Sequence, residues 1–161
     1  MISGTSLVQF TYLHVFLSVI GIGAGFFLVF GLFTSRRLSI LTATFLVSTL
    51  ATSLTGFLFP FNGVTPGIIL GVLSILALLI AIVGLYVKKL EGPWRAIYVV
   101  SALLAYYFNF FVLVAQGFAK VPALKAVAPT MSSPAFGGTQ LALLIIFVLI
   151  TVRSLKEFHP E

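Results

Sequence analysis

The sequence predicts an all-α fold, a polytopic transmembrane bundle of five helices. Three observations carry that expectation. Hydrophobic residues make up 60% of the 161 and charged residues only 7%, at a mean hydropathy of +1.22, whereas soluble chains carry about 25% charge. Five long apolar runs follow one another with short connections, and the basic residues fall almost entirely in alternate connections.

The runs are Leu7 to Thr34, Leu38 to Phe59, Gly67 to Val87, Arg95 to Ala119 and Ala135 to Val152. None contains Asp, Glu or Lys, and Arg95 only opens the fourth. Since about 20 apolar residues cross ~30 Å of hydrocarbon as a helix, each run is long enough, or nearly so, to span. The first run, roughly 42 Å long at 1.5 Å per residue, must tilt or project. It lies behind "MISGTSLVQF", which has no basic n-region, and is far longer than the apolar part of a secretory signal, so it is expected to remain as a helix. The five runs leave no room for a soluble domain, and residues 1–161 read as a single transmembrane domain.

Orientation follows from charge. Arg36, Arg37, Lys88, Lys89, Arg95, Arg153 and Lys156 fall on one side of a five-helix chain, against Lys120 and Lys125 on the other. The positive-inside rule places the N-terminus outside and the C-terminus in the cytoplasm. A juxtamembrane basic rim accounts for the net charge of +6 with no need for nucleic acid as a partner. In the last external connection, "KVPALKAVAPTMSSP", Val121, Leu124 and Val127 recur at helical spacing, Pro122 suits a first turn and Pro129 ends it. A short interfacial helix over about 121–128 is expected there. "FPFNGVTPG" forms the other external connection, with Pro60 and Pro66 stopping and restarting helices.

Function classes narrow mainly by what is missing. The chain has no Cys and no Asp, and its acids are Glu91, Glu157 and Glu161, all on the cytoplasmic side. That removes thiolate chemistry, paired carboxylates and a Ser/His/Asp triad within the bilayer, and with them the usual carboxylate of a proton-driven carrier. Metal sites rich in His or carboxylate lack ligands, and a haem between two histidines needs a second His at depth, whereas His159 lies in the C-terminal tail. A cofactor held by a single His stays open, and no cofactor is specified. The expectation is a protein that is not an enzyme.

The polar residues inside the runs form stripes. In the fourth run Tyr98, Ala102, Ala105, Asn109, Val112, Gln116 and Lys120 follow steps of three and four and share one face. In the first run the same steps select Thr11, His14, Ser18, Gly21 and Gly25, and the Gly21-x-x-x-Gly25 spacing lets two membrane helices approach closely. The second run adds Ser48, Thr52 and Thr55, and the third Gly67, Gly71 and Ser74. The fifth is apolar all round after Gln140 and is expected to be the most lipid-exposed. Trp94, Tyr86 and Tyr98 read as interfacial anchors. Depth along each run then predicts a polar cluster of His14, Ser18, Thr52, Thr55, Asn109 and Gln116 between the first, second and fourth helices, opening outward.

Two roles fit such a cluster. Intramembrane Asn, Gln, Ser and Thr hold helices together by hydrogen bonds worth about 0.6 kcal/mol on average. The same groups can fix the polar end of a lipid, quinone or other small apolar molecule, with the aromatic run from Tyr106 to Phe111 around it. A membrane-embedded binding or accessory subunit, alone or in a larger membrane complex, is one reading. A small homo-oligomeric channel or permease for an uncharged solute is the other.

The strings "LHVFLSVIGIGAG", "LTGFLFPFNG", "GPWRAIYVVSALLAYYFNFFVLVAQGFAKVPAL" and "APT" resemble a group of small bacterial integral membrane proteins described as hypothetical membrane proteins. The resemblance covers about Leu13 to Val152 and implies a bacterial inner membrane and five helices, without an activity. Five helices in this length are also similar to the translocator/tryptophan-rich sensory family, but a single tryptophan, Trp94, departs from that family's pattern.

Overall fold

The computed structural model describes residues 5–60 and 63–160. The readings of the first four residues and of Phe61 and Asn62 in the second connection lie outside the described residues. Six α-helices follow in order: α1 (Thr5–Phe33), α2 (Ser39–Gly56), α3 (Pro66–Ile82), α4 (Trp94–Lys120), α5 (Pro122–Val127) and α6 (Pro134–Glu157). All but α5 are long and apolar enough to cross a membrane. The fold is therefore all-helical, as the composition requires, with no strand among the described residues.

Local chemistry sets the boundaries. Pro66, Pro122 and Pro134 open α3, α5 and α6, where the missing N–H is no loss. Thr65 caps α3 by accepting from the Ile68 amide. α2 stops at Gly56, three residues before the apolar run ends.

α6 runs five residues beyond the expected Val152 because its end is capped from elsewhere. The Arg95 Nη1 donates to the carbonyls of Leu155 (3.1 Å) and Phe158 (2.7 Å), satisfying acceptors that a helix end leaves open and placing a cation at its negative pole.

α3 does not end as a plain α-helix either. It widens into a π turn, Val83–Val87, and then reverses through Lys89 (φ 51°), Leu90 (φ 63°) and Gly92 (φ 53°). A left-handed leucine is costly, roughly 1–2 kcal/mol. It is held because Leu90 is buried and its amide donates to the Gly84 carbonyl at 2.9 Å.

The helices pack in a consistent register. α1 and α2 form an antiparallel hairpin in which His14 meets Thr55 and Gly21 meets Ser48 and Thr49. α4 lies at the centre, and 39% of an apolar 18-residue stretch of it is buried, against 17% for the corresponding stretch of α6, matching the expected lipid exposure of α6. Tyr106 of α4 joins the helices around it. Its ring meets Phe26 of α1, Phe45 of α2 and Phe147 of α6 edge-on, and its hydroxyl donates to the Ile22 carbonyl at 2.9 Å.

Close packing is confined to one half of the bundle. The core comprises the later part of α1 (Ala24, Leu28, Leu32), the start of α2 (Phe45, Leu46), the end of α3 (Ala77, Leu78, Ala81) and the first half of α4 (Tyr98 to Tyr106). All of it lies toward the end that carries Arg36, Arg37, Lys88, Lys89, Arg95 and Arg153. At that end the connections are laced together. Arg153 stacks on Phe33, Lys88 on Trp94, Phe158 on Tyr98, and the His159 amide donates to Ser35 Oγ at 2.8 Å. Tyr98, expected as an interfacial anchor, is instead a core residue, because the α6 C-terminus folds over it; Tyr86 stays exposed. Toward the Lys120 end the helices are thinly covered, and Phe136 and Gln140 are buried there as satellites.

Candidate functional site

The polar stripes of α1, α2 and α4 do face one another, in two tiers. The deeper tier is Asn109, whose Nδ2 donates to Thr49 Oγ1 at 3.1 Å. Thr49 is fully buried and sits against Gly21, where a Cβ would stand 2.9 Å from the threonine oxygen and 3.2 Å from Ser48 Oγ. Gly21 thus lets α2 approach closely enough for its hydroxyls to be reached from α4. Gly25, one turn on, makes room for the Tyr106 ring.

The outer tier is His14 with Thr55. The His14 Nδ1 lies 2.8 Å from Thr55 Oγ1, and the half-buried imidazole stands edge-on to Phe59. The Thr55 hydroxyl also lies 2.8 Å from the Ala51 carbonyl and 3.0 Å from that of Thr52, so its proton turns back to its own helix. Its oxygen therefore accepts from Nδ1–H. Each neutral imidazole carries one proton, so this pairing leaves Nε2 as a lone pair. Nε2 has no hydrogen-bond partner among the described residues.

Ser18 and Thr52 belong to the same region but donate to the carbonyls of His14 (2.9 Å) and Ser48 (2.8 Å) within their own helices. That pattern is common for hydroxyls in apolar helices, and it leaves oxygens that can only accept. A further contact, Ser53 to Ser74 at 3.2 Å, joins α2 to α3.

Gln116 departs from the expected inward stripe. It is exposed and has no hydrogen bond among the described residues, as are Val112 and Lys120 on the same face exposed. The reason is the end of α2. α2 and α4 run parallel, with Thr49 level with Asn109, so Gln116, two turns on, is level with Gly56, the last residue of α2, which offers it no side chain. The expected cluster of six is therefore five residues around the α1–α2–α4 contact, with Gln116 outside it.

One amide on the opposite side of α4 was not anticipated. Gln140 of α6 is buried and donates from Nε2 to the Phe111 carbonyl at 3.1 Å, while its Oε1 has no partner among the described residues. The signal in the sequence was a single amide ahead of ten apolar residues. Among the described residues no group of three or more His, Cys, Asp or Glu can hold a metal ion. What the site offers chemically is neutral hydrogen bonding, one oriented imidazole lone pair and a surrounding of aromatic and aliphatic side chains. Comparison with protein-family models, with curated proteins and with solved structures finds no match to the chain.

Proposed function

We propose that this integral membrane protein is a binding or accessory subunit, not an enzyme, which holds the polar end of a small apolar molecule at the outer tier. The observation that carries the reading is the geometry of His14. Its ring is oriented by Thr55 and Phe59, and Nε2 remains as an acceptor in a thinly packed part of the bundle. Such a nitrogen takes a hydrogen bond from a hydroxyl or N–H, which favours a lipid, quinol or sterol-like alcohol over a molecule that only accepts. Asn109 contributes depth and shape, with one of its amide N–H groups already given to Thr49. In this reading the protein sits in a bacterial inner membrane with the Lys120 end outside and the basic rim in the cytoplasm, as the positive-inside rule supports.

The test is native mass spectrometry of the protein released from its own membranes, alongside His14→Phe, which keeps a ring of similar bulk against Phe59. A stoichiometric non-protein adduct in the wild type, lost in His14→Phe at unchanged helix content, supports the site. An adduct that persists in His14→Phe, or no adduct in either protein, refutes it.

The exposed Gln116 favours a second reading. An amide facing hydrocarbon without a partner costs free energy, and a neighbouring copy could supply its partner or form a neutral pore with it. A homo-oligomeric channel or permease for an uncharged solute would show as a multimer in the same spectra, dissociated by Gln116→Leu.

A further inference from the structure

At the end of the bundle opposite His14 lies a cavity of about 110 Å3. Its floor is apolar, from Leu28, Leu32 and Leu85, and its inner wall carries the buried residues Thr42 and Tyr98 with their hydroxyls. Arg36, Arg37, Ser39 and Tyr86 stand at its mouth. The wall is built from the α1–α2 turn, the π turn and α4, and π turns within helices occur frequently at functional sites.

The donors at this mouth are largely unspent. The Arg36 side chain has no partner among the described residues, nor does the Ser39 hydroxyl. Arg37 reaches only the Lys89 carbonyl, at a long 3.5 Å. α2 begins here with no side-chain cap, so its first-turn N–H groups add to the same field. No acidic side chain lines the cavity. Two guanidiniums, a hydroxyl and a helix N-terminus around one opening form a field with a single sign. A rim of arginines serving only the headgroup layer needs neither the cavity nor the buried hydroxyls behind it.

We propose that this cavity binds one phosphoryl group, with its oxyanion oxygens on Arg36, Arg37 and Ser39 and its ester side toward the leucine floor. Guanidinium forks suit phosphate oxygens, and basic pockets between membrane helices recognise anionic headgroups. The group can arrive on an anionic phospholipid or as a soluble phosphate, and the chemistry at the mouth is the same for both. The site is separate from the His14 tier and does not depend on it.

The experiment uses the full chain in lipid nanodiscs of phosphatidylcholine, alone, with phosphatidylglycerol added, or with millimolar inorganic phosphate. Melting temperature and native mass spectra are the readouts, and two double variants are compared: Arg36→Gln with Arg37→Gln, and Arg153→Gln with Lys156→Gln. The second pair removes equal charge from the same end without touching the cavity lining. The expected result is one retained phosphatidylglycerol, or a phosphate-dependent rise in melting temperature, cut at least tenfold in affinity by the first pair and little changed by the second. Retained lipid identifies a lipid source and a phosphate response a soluble one. Equal losses in both pairs, or no preference for either probe over phosphatidylcholine, overturns the proposal. Melting in pure phosphatidylcholine shows that the first pair folds, and a variant unfolded there is replaced by Arg36→Lys with Arg37→Lys, which keeps the charge but loses the fork and must still weaken retention.

Discussion

Replacing Gly25 with alanine tests the packing of the whole bundle. A Cβ at this position would press on Tyr106 Cε2 and stand 2.5 Å from Cζ and 2.6 Å from Cδ2. The ring has nowhere to go. Tyr106 is 2% exposed and is enclosed by Phe26, Phe45, Phe110 and Phe147. Forcing an extra carbon into a filled core costs about 1–3 kcal/mol. Moving the ring also breaks the hydroxyl bond to the Ile22 carbonyl, a further ~0.6 kcal/mol in a membrane bundle. Gly25→Ala should therefore destabilise by about 2–3 kcal/mol, measured by reversible unfolding in mixed detergent micelles with helicity as the signal.

The decisive comparison repeats the substitution in a Tyr106→Ala background. That background alone should lose about 3–5 kcal/mol to the cavity, but with no ring to strike, adding Gly25→Ala should then cost less than about 0.5 kcal/mol. If Gly25→Ala costs the same in both backgrounds, the penalty does not come from Tyr106 and the reasoning fails.

Two further substitutions separate partnered from unpartnered polar groups. Asn109→Leu should lose roughly 0.6 kcal/mol or somewhat more, because Thr49 is left buried beside it, whereas Gln116→Leu should be neutral or stabilising in a monomer. Equal effects in the same unfolding assay would show that the two amides share an environment. Arg95→Met should uncover the α6 end, costing about 3 kcal/mol at the lower end of the range for two charge-assisted bonds and speeding hydrogen exchange at residues 155–159, and unchanged exchange there would rule out the cap.

How much of this was legible depends on what each feature requires. The five spans follow from composition, because a bilayer demands long uncharged runs and permits little else. The inward faces of His14, Gly21, Gly25 and Asn109 followed from helical periodicity, and the structure pairs each of them across a helix contact. Gln116 sits on the same stripe as Asn109 and yet faces out, because the stripe records a direction on one helix and not where its neighbour stops. Tyr98 could be read as an anchor for a similar reason. Its burial comes from Phe158 and the extended α6, more than fifty residues away and fixed by Arg95. The π turn and the left-handed Leu90 depend on tertiary packing and have no local signature in "VGLYVKKLEG".

The confinement of close packing to the basic half has a dynamic consequence. Local opening is least expensive where few buried contacts must be given up, so the tips of α1, α2 and α4 near Lys120 can part and re-form while the laced end stays intact. In a bilayer such breathing exchanges helix–helix contact for helix–lipid contact, at little cost in apolar burial. A hydrogen-exchange map should accordingly rise along α4 from Tyr98 toward Lys120, and a molecule entering beside His14 would slow that gradient from its outer end. The polar tier then lies at the border between a tightly packed base and a thinly packed rim, where the molecule of the proposed binding role would enter laterally from the membrane without unfolding the protein.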